Sequence, residues 1–78
     1  MSPKISTLKP TEVLKALLRA DFYIHHQTGS HAQLRHKTKG HLRVTIPRHS
    51  GFDLPIFVVQ SIIKQCEMTK EDFLKLLK

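Results

Sequence analysis

The spacing of apolar residues changes twice along this chain, and that change restricts the fold more than any other feature. Between Pro10 and Ala20, Val13, Leu14, Leu17 and Leu18 recur at helical spacing while Thr11, Glu12, Lys15 and Arg19 take the opposite side, which predicts an amphipathic helix. Pro10 suits the first turn, Glu12 complements the helix dipole, and Leu8 is placed to staple against Val13; Lys9 is a poor N-cap. From Phe22 to Ile46 the period becomes two, interrupted at Thr28-Gly29 and at Lys37-Thr38-Lys39-Gly40, where glycine favours tight turns. Three short antiparallel strands follow. Helical spacing returns with Val59, Ile62, Ile63 and Cys66, after a loop from Phe52 to Pro55. Thr69 is positioned to cap a last short helix, with Asp72 three residues on and Met68 and Phe73 as a staple.

The resulting order, α-β-β-β-α-α, with short connections, is most economically an α+β two-layer sandwich. Its helices cover one face of a three-stranded antiparallel sheet and leave the other open to solvent. Alternation turns Phe22, Ile24, Ala32, Leu34, Leu42, Val44 and Ile46 inward. It leaves Tyr23, His25, Gln27, His31, Gln33, Arg35, His41, Arg43 and Thr45 outside. A chain of 78 residues holds one domain, here residues 8–78 behind a loosely ordered 1–7. There is room for a few displayed side chains but not for a large cofactor cleft.

Thirteen Lys and Arg against six Asp and Glu give a net charge of +7, which makes a polyanion the natural partner. Nucleic acid fits because each neutralised phosphate releases counterions. Five cations, Arg35, Lys37, Lys39, Arg43 and Arg48, fall in one stretch without an acidic residue. The arginines suit forked contact with phosphate oxygens, and the lysines add mobile point charge. Cys66 is the single cysteine, so an intramolecular disulfide is impossible and a reducing cytoplasm is the simplest setting. No run approaches the ~20 apolar residues of a membrane span.

No metal site is expected. Neither His-Glu-x-x-His nor Cys-x-x-Cys occurs, and neighbouring His25 and His26 on a regular strand point to opposite faces. A phosphate-binding Gly-x-x-x-x-Gly-Lys loop and a Gly-x-Ser-x-Gly elbow are also missing. Two histidines remain as candidates for proton transfer. On the residues alone, His31 reads either as an exposed strand histidine or as a general acid or base; His49, just past the third strand, reads as a turn residue, as a second such group or as a phosphate contact.

The helix Pro10 to Ala20, Gly29-Ser30-His31, Val44-Thr45-Ile46-Pro47-Arg48-His49, Asp53-Leu54-Pro55, Ser61-Ile62-Ile63-Lys64-Gln65 and Thr69-Lys70-Glu71-Asp72-Phe73 together resemble the HicA family of toxin endoribonucleases. That domain is itself similar to the double-stranded-RNA-binding fold. The resemblance implies an mRNA-cleaving toxin that blocks translation and is neutralised by a HicB antitoxin; no cofactor is expected from the residues, and charge complementarity to Arg35, Arg43 and Arg48 makes that HicB-like partner acidic. The resemblance also implies that His31, following Gly29-Ser30, is the essential histidine. The chain differs from the family pattern at Asp21 and at Cys66-Glu67, where glycine is common at helix ends, and at Phe57-Val58, in place of Gly-Thr. An RNA-binding module that does not cut is the alternative, since the same basic face serves shape-based recognition.

Overall fold

The computed structural model describes residues 7–48 and 52–77. Helix α1 (Pro10–Arg19) leads into strands β1 (Phe22–Gln27), β2 (His31–His36) and β3 (Arg43–Pro47), followed by helices α2 (Ile56–Gln65) and α3 (Lys70–Leu76). The strands form one antiparallel sheet in the order β1-β2-β3. This is the α+β order that the periodicity predicts. Residues 1–6 and His49 lie outside the described residues.

Local chemistry explains the helix boundaries. The Lys9 N–H donates to the Glu12 carboxylate at 3.2 Å, half of a capping box, while the Lys9 side chain makes no capping bond. The Thr69 hydroxyl accepts from the Asp72 N–H at 3.1 Å, the cap expected of α3. The Arg19 guanidinium donates to the Leu76 carbonyl at 2.7 Å, so a charge from α1 satisfies the C-terminal end of α3. Backbone pairing of Leu54 N–H with the Leu8 carbonyl, 2.7 Å, ties the start of the chain to the entry of α2.

The helices lie on one side of the sheet, with α1 over β1 and β3, α2 over β3, and α3 against α1. Between the layers Phe22, Leu34, Val44 and Ile46 of the sheet meet Val13, Leu17, Val59, Ile62 and Phe73 of the helices, all essentially inaccessible to solvent. Ala32 and Leu42 are buried as well. Ile24 keeps the inward side, paired with buried Leu34, but is left uncovered there, at 39% exposed. It lies on edge strand β1, and the regular ladder stops beside it. Ile24 pairs with Leu34, but the next pair is His26 with Gln33, which leaves His25 as the extra residue of a β-bulge. The pairing then continues as Gln27 with Ala32. Directly paired residues share a face, so beyond the bulge His26 faces outward with Gln33 and Gln27 falls on the helix side, the reverse of strict alternation.

Two further expectations change. His41 leaves the outer face, because its Nε2 lies 3.2 Å from the Glu67 carboxylate at the end of α2. Gly29 and Gly40 do not use the left-handed conformation. That conformation occurs instead at Asp21 (φ 69°) and Glu67 (φ 56°), the residues after the caps of α1 and α2, where helices commonly end on glycine. Side chains there meet the backbone clash that glycine avoids, about 1–2 kcal/mol and less for Asp.

Asp21→Gly is therefore expected to stabilise the fold by about 0.5 kcal/mol after the entropy cost of glycine. Asp21→Val should destabilise it by about 1–2 kcal/mol. Thermal melts, which shift by about 4–8 °C per kcal/mol in a domain of this size, check both signs. A second expectation concerns Cys66, which closes α2 inside the core and whose thiol is pushed up to about 12 by burial. An unfolded chain ionises this thiol near its ordinary value of about 8.5, while the folded chain keeps the proton. The contribution is thus fully present below pH ~8.5 and is lost as pH rises toward 12. Denaturant titrations should show the wild-type advantage over Cys66→Ala shrinking by roughly 2 kcal/mol between pH 7 and 10; a constant difference would contradict the assignment.

Candidate nucleic-acid interface

Every second residue that the core does not use projects from the uncovered face of the sheet, and strand register sorts these residues into rows. Tyr23, Arg35 and Arg43 form one row, His26, Gln33 and Thr45 the next, and His31 with Pro47 the last. The face is polar and cationic, and Tyr23, 40% exposed, is its aromatic member.

His31 begins β2 immediately after the β1–β2 turn, and that turn is held by a side chain more than by its glycine. The Thr28 hydroxyl oxygen accepts from the His31 N–H at 3.1 Å and lies 3.4 Å from the Ser30 N–H, while the Thr28 N–H donates to the His31 carbonyl at 2.9 Å. On the other side the Ser30 carbonyl accepts from the Arg48 N–H at 2.6 Å, extending the β2–β3 ladder past His31. The histidine backbone is therefore fixed from both flanking strands although its side chain is exposed. Ser30 Oγ lies 2.9 Å from His31 Nδ1, which orients the ring and leaves Nε2 toward solvent. A Cβ at Gly29 would meet nothing within 4 Å, so the space beside His31 is open on that side.

The arginines are not all brought to His31. Arg48 adjoins it in backbone only, through its bond to Ser30. Arg35 and Arg43 pair directly with each other, four residues along the strands, or about 13 Å away. The Thr45 N–H donates to Gln65 Oε1 at 3.4 Å and so points away from β2; by alternation the Arg43 N–H does too. Arg35 and Arg43 thus oppose each other as a non-hydrogen-bonded pair, with Cα atoms about 4.5 Å apart. Like charges directly opposite are unfavourable in a sheet, and among the described residues no carboxylate bonds to either. Lys37 and Lys39 sit farther still, in the β2–β3 loop. That loop is held by His36, whose Nδ1 accepts from the N–H groups of Thr38 (3.1 Å) and Lys39 (3.0 Å) and whose ring stands edge-on to Phe22, centroids 5.0 Å apart.

Elsewhere, a depression of about 560 Å³ bounded by Phe57, Ile63, Lys64, Met68 and Lys70 belongs to the helix layer, across the sheet from His31. Cys66 is buried and protonated, which removes it as a nucleophile. Among the described residues no three His, Cys, Asp or Glu side chains gather as a metal-binding group, and no helix is long and apolar enough to cross a membrane. Alternation missed the placement of His26 on the outer face. The one available signal was two adjacent polar residues, His25 and His26, just before a turn on a short strand.

No curated protein matches the chain. The family model for the HicA toxin of bacterial toxin-antitoxin matches residues 10–68, from the start of α1 through all three strands and α2. A toxin of this kind is paired with a cognate antitoxin. The chain belongs to the HicA toxin family.

Proposed function

We propose that this toxin is an endoribonuclease that cleaves mRNA on the open face of its sheet, without a metal, using His31 as general acid or base. The observation that carries this reading is the setting of His31: backbone fixed by Thr28 and by the β3 side, Nδ1 engaged by Ser30 Oγ at 2.9 Å, and Nε2 free. RNA brings its own nucleophile. Removing the 2′-hydroxyl proton lets that oxygen attack the adjacent phosphorus, the bond to the 5′-oxygen breaks, and that oxygen takes up a proton. The products are a 2′,3′-cyclic phosphate and a 5′-hydroxyl. The protein must move two protons and stabilise the charge on the phosphorane. His31 supplies one proton transfer, and Arg48, bonded through its backbone to Ser30, is the nearest of the candidate cations along the chain trace.

Arg35 and Arg43 hold the neighbouring stretch of RNA, and Lys37 and Lys39 the chain beyond it. A bound phosphate relieves the repulsion between the two opposed arginines, so a pair that is unfavourable in the free protein becomes a contact. An acidic antitoxin of the HicB type, presenting carboxylates to the same arginines, would compete with RNA for this face. The toxin and its antitoxin would then work in the cytoplasm, where mRNA is translated.

Incubation of an unstructured RNA with the protein in excess EDTA should give cleavage that falls by about 10²–10⁴-fold in His31→Ala, with RNA affinity and melting temperature retained. Undiminished binding without cleavage by the wild type would instead favour an RNA-binding module that does not cut. Arg35→Gln and Arg43→Gln should each weaken binding for all sequences and lower the slope of log K against log salt by about 0.7, as expected for one phosphate contact on a single strand. Unchanged slopes would remove these arginines from the interface.

A further inference from the structure

Scission of RNA needs two proton transfers, and His31 accounts for one. The bulge in β1 brings a second imidazole to the same face. Ile24 pairs with Leu34, a buried residue, and so lies on the helix side of the sheet. Two residues along a regular strand, His26 would lie on the helix side too. Because His25 is inserted without a partner, His26 pairs with Gln33. Gln33 is flanked by the fully buried Ala32 and Leu34 and therefore points outward, and His26 points outward with it. His31 stands two residues before Gln33 on β2, on the same face. His26 and His31 are thus diagonal neighbours across adjacent strands, about 7–8 Å apart at the backbone and within reach of one another's ligands.

From this juxtaposition we propose that His26 is the second catalytic residue, forming with His31 an acid–base pair that brackets the scissile phosphate. The proposal rests on the endoribonuclease reading. One imidazole takes the 2′-hydroxyl proton while the other gives a proton to the departing 5′-oxygen. After the cyclic phosphate leaves, exchange with water resets both rings, so the cycle consumes and releases no net proton. A separation of several ångströms suits this role, since the attacking and departing oxygens lie on opposite sides of phosphorus in an in-line displacement. Two observations set His26 apart from the remaining described histidines. It is exposed and makes no hydrogen bond to a described residue, whereas His36 braces a loop and His41 meets Glu67; His25 is also exposed and unbonded, but it is the inserted residue and has no partner on β2 to set it in register with His31. It also owes its orientation to an irregularity, and bulges are concentrated beside active sites because they re-aim a side chain. The charged and titratable groups sharing its face are His31 and Arg35 on β2, Arg43 on β3, and Tyr23 and the inserted His25 on its own strand.

The test is single-turnover cleavage of an unstructured oligoribonucleotide by the full chain in EDTA, across pH 4.5–9, for wild type, His26→Gln and His31→Ala. The wild type should give a bell-shaped profile. His26→Gln should cleave about 10²-fold more slowly at the optimum, with one limb of the bell missing, RNA affinity within about twofold and an unchanged melting temperature. The limb that disappears identifies whether His26 is the acid or the base. A substrate whose 5′-bridging oxygen is replaced by sulfur, a leaving group that needs no protonation, should restore the rate only if His26 is the acid. A His26→Gln protein that keeps both limbs and the full rate, while His31→Ala is inactive, overturns this inference and leaves the endoribonuclease reading intact. So does a loss confined to RNA affinity, which would make His26 a phosphate contact. Full activity of His31→Ala would instead overturn the reading on which the inference stands.

Discussion

The burial of one face of the sheet is the constraint on which the rest of this molecule depends. Three helices of seven to ten residues suffice to cover one side of three short strands, and they gather on that side against Phe22, Leu34, Val44 and Ile46. Because side chains alternate, the residues between these, Tyr23, Gln33, Arg35, Arg43 and Thr45, are turned out by the same act of burial. A slip of one residue in β2 would bury Arg35 and expose Leu34, at a cost far above the few kcal/mol of net stability a domain this small retains. The core therefore sets the composition of the open face by exclusion. Nothing in the packing asks these residues to be apolar or mutually attractive, which is how two arginines come to stand opposite each other.

An open face carries open edges, and the chain blunts the one nearer the arginines. Pro47 stands where alternation turns the N–H position away from β2, so the donor it lacks would have had no ladder partner. The next outward N–H, that of Thr45, is met by Gln65. On the opposite edge β1 is interrupted by its bulge, which spoils the flat template that a foreign strand would need. The histidine-bearing end of the sheet thus presents side chains more readily than backbone. That suits recognition of a phosphate chain better than strand addition by another protein.

Much of this was legible in residue spacing, because burial on one side leaves a period in the sequence. Element order, the cap at Thr69 and most of the inward set, from Phe22 to Ile46, follow from that period. The exposure of Ile24 does not, since periodicity carries no information about which strand ends at an edge or where a ladder is broken. The Thr28-Gly29 turn was legible in place but not in mechanism: glycine suggested a backbone solution, while the hydroxyl of Thr28 forms the bonds. Asp21 and Glu67 show the reverse. Their left-handed conformations run against their residue types, and only the comparison with a family that often has glycine there marks them. His41 was misplaced because a contact with Glu67, 26 residues away, outweighs the alternation of a strand that begins only at Arg43. His31 was legible as a candidate. Its restraint by the Arg48 backbone was not, since that depends on the tertiary approach of β3, and the contact of its ring with Ser30 depends on side-chain rotamers that spacing does not encode.

The two local irregularities of the β1–β2 hairpin point to a division of labour within the fold. One is the bulge at His25, which decides the face of His26; the other is the Thr28 turn, which fixes the first residue of β2. Both lie at the end of the hairpin away from α1, where Ile24 and Gln27 are already exposed, so departures from regular pairing there disturb little buried surface. The opposite end, anchored by Phe22 and His36 under the helix layer, is regular in pairing and holds the hairpin to the core. A chain with so thin a core has little stability to spend on a distorted site, and it places its distortions where the sheet has already left the cover of the helices. Under the proposed endoribonuclease reading, chemistry at the outer end and cohesion at the inner end can then vary separately, which is what a small domain needs if the same face is also to be covered by an antitoxin.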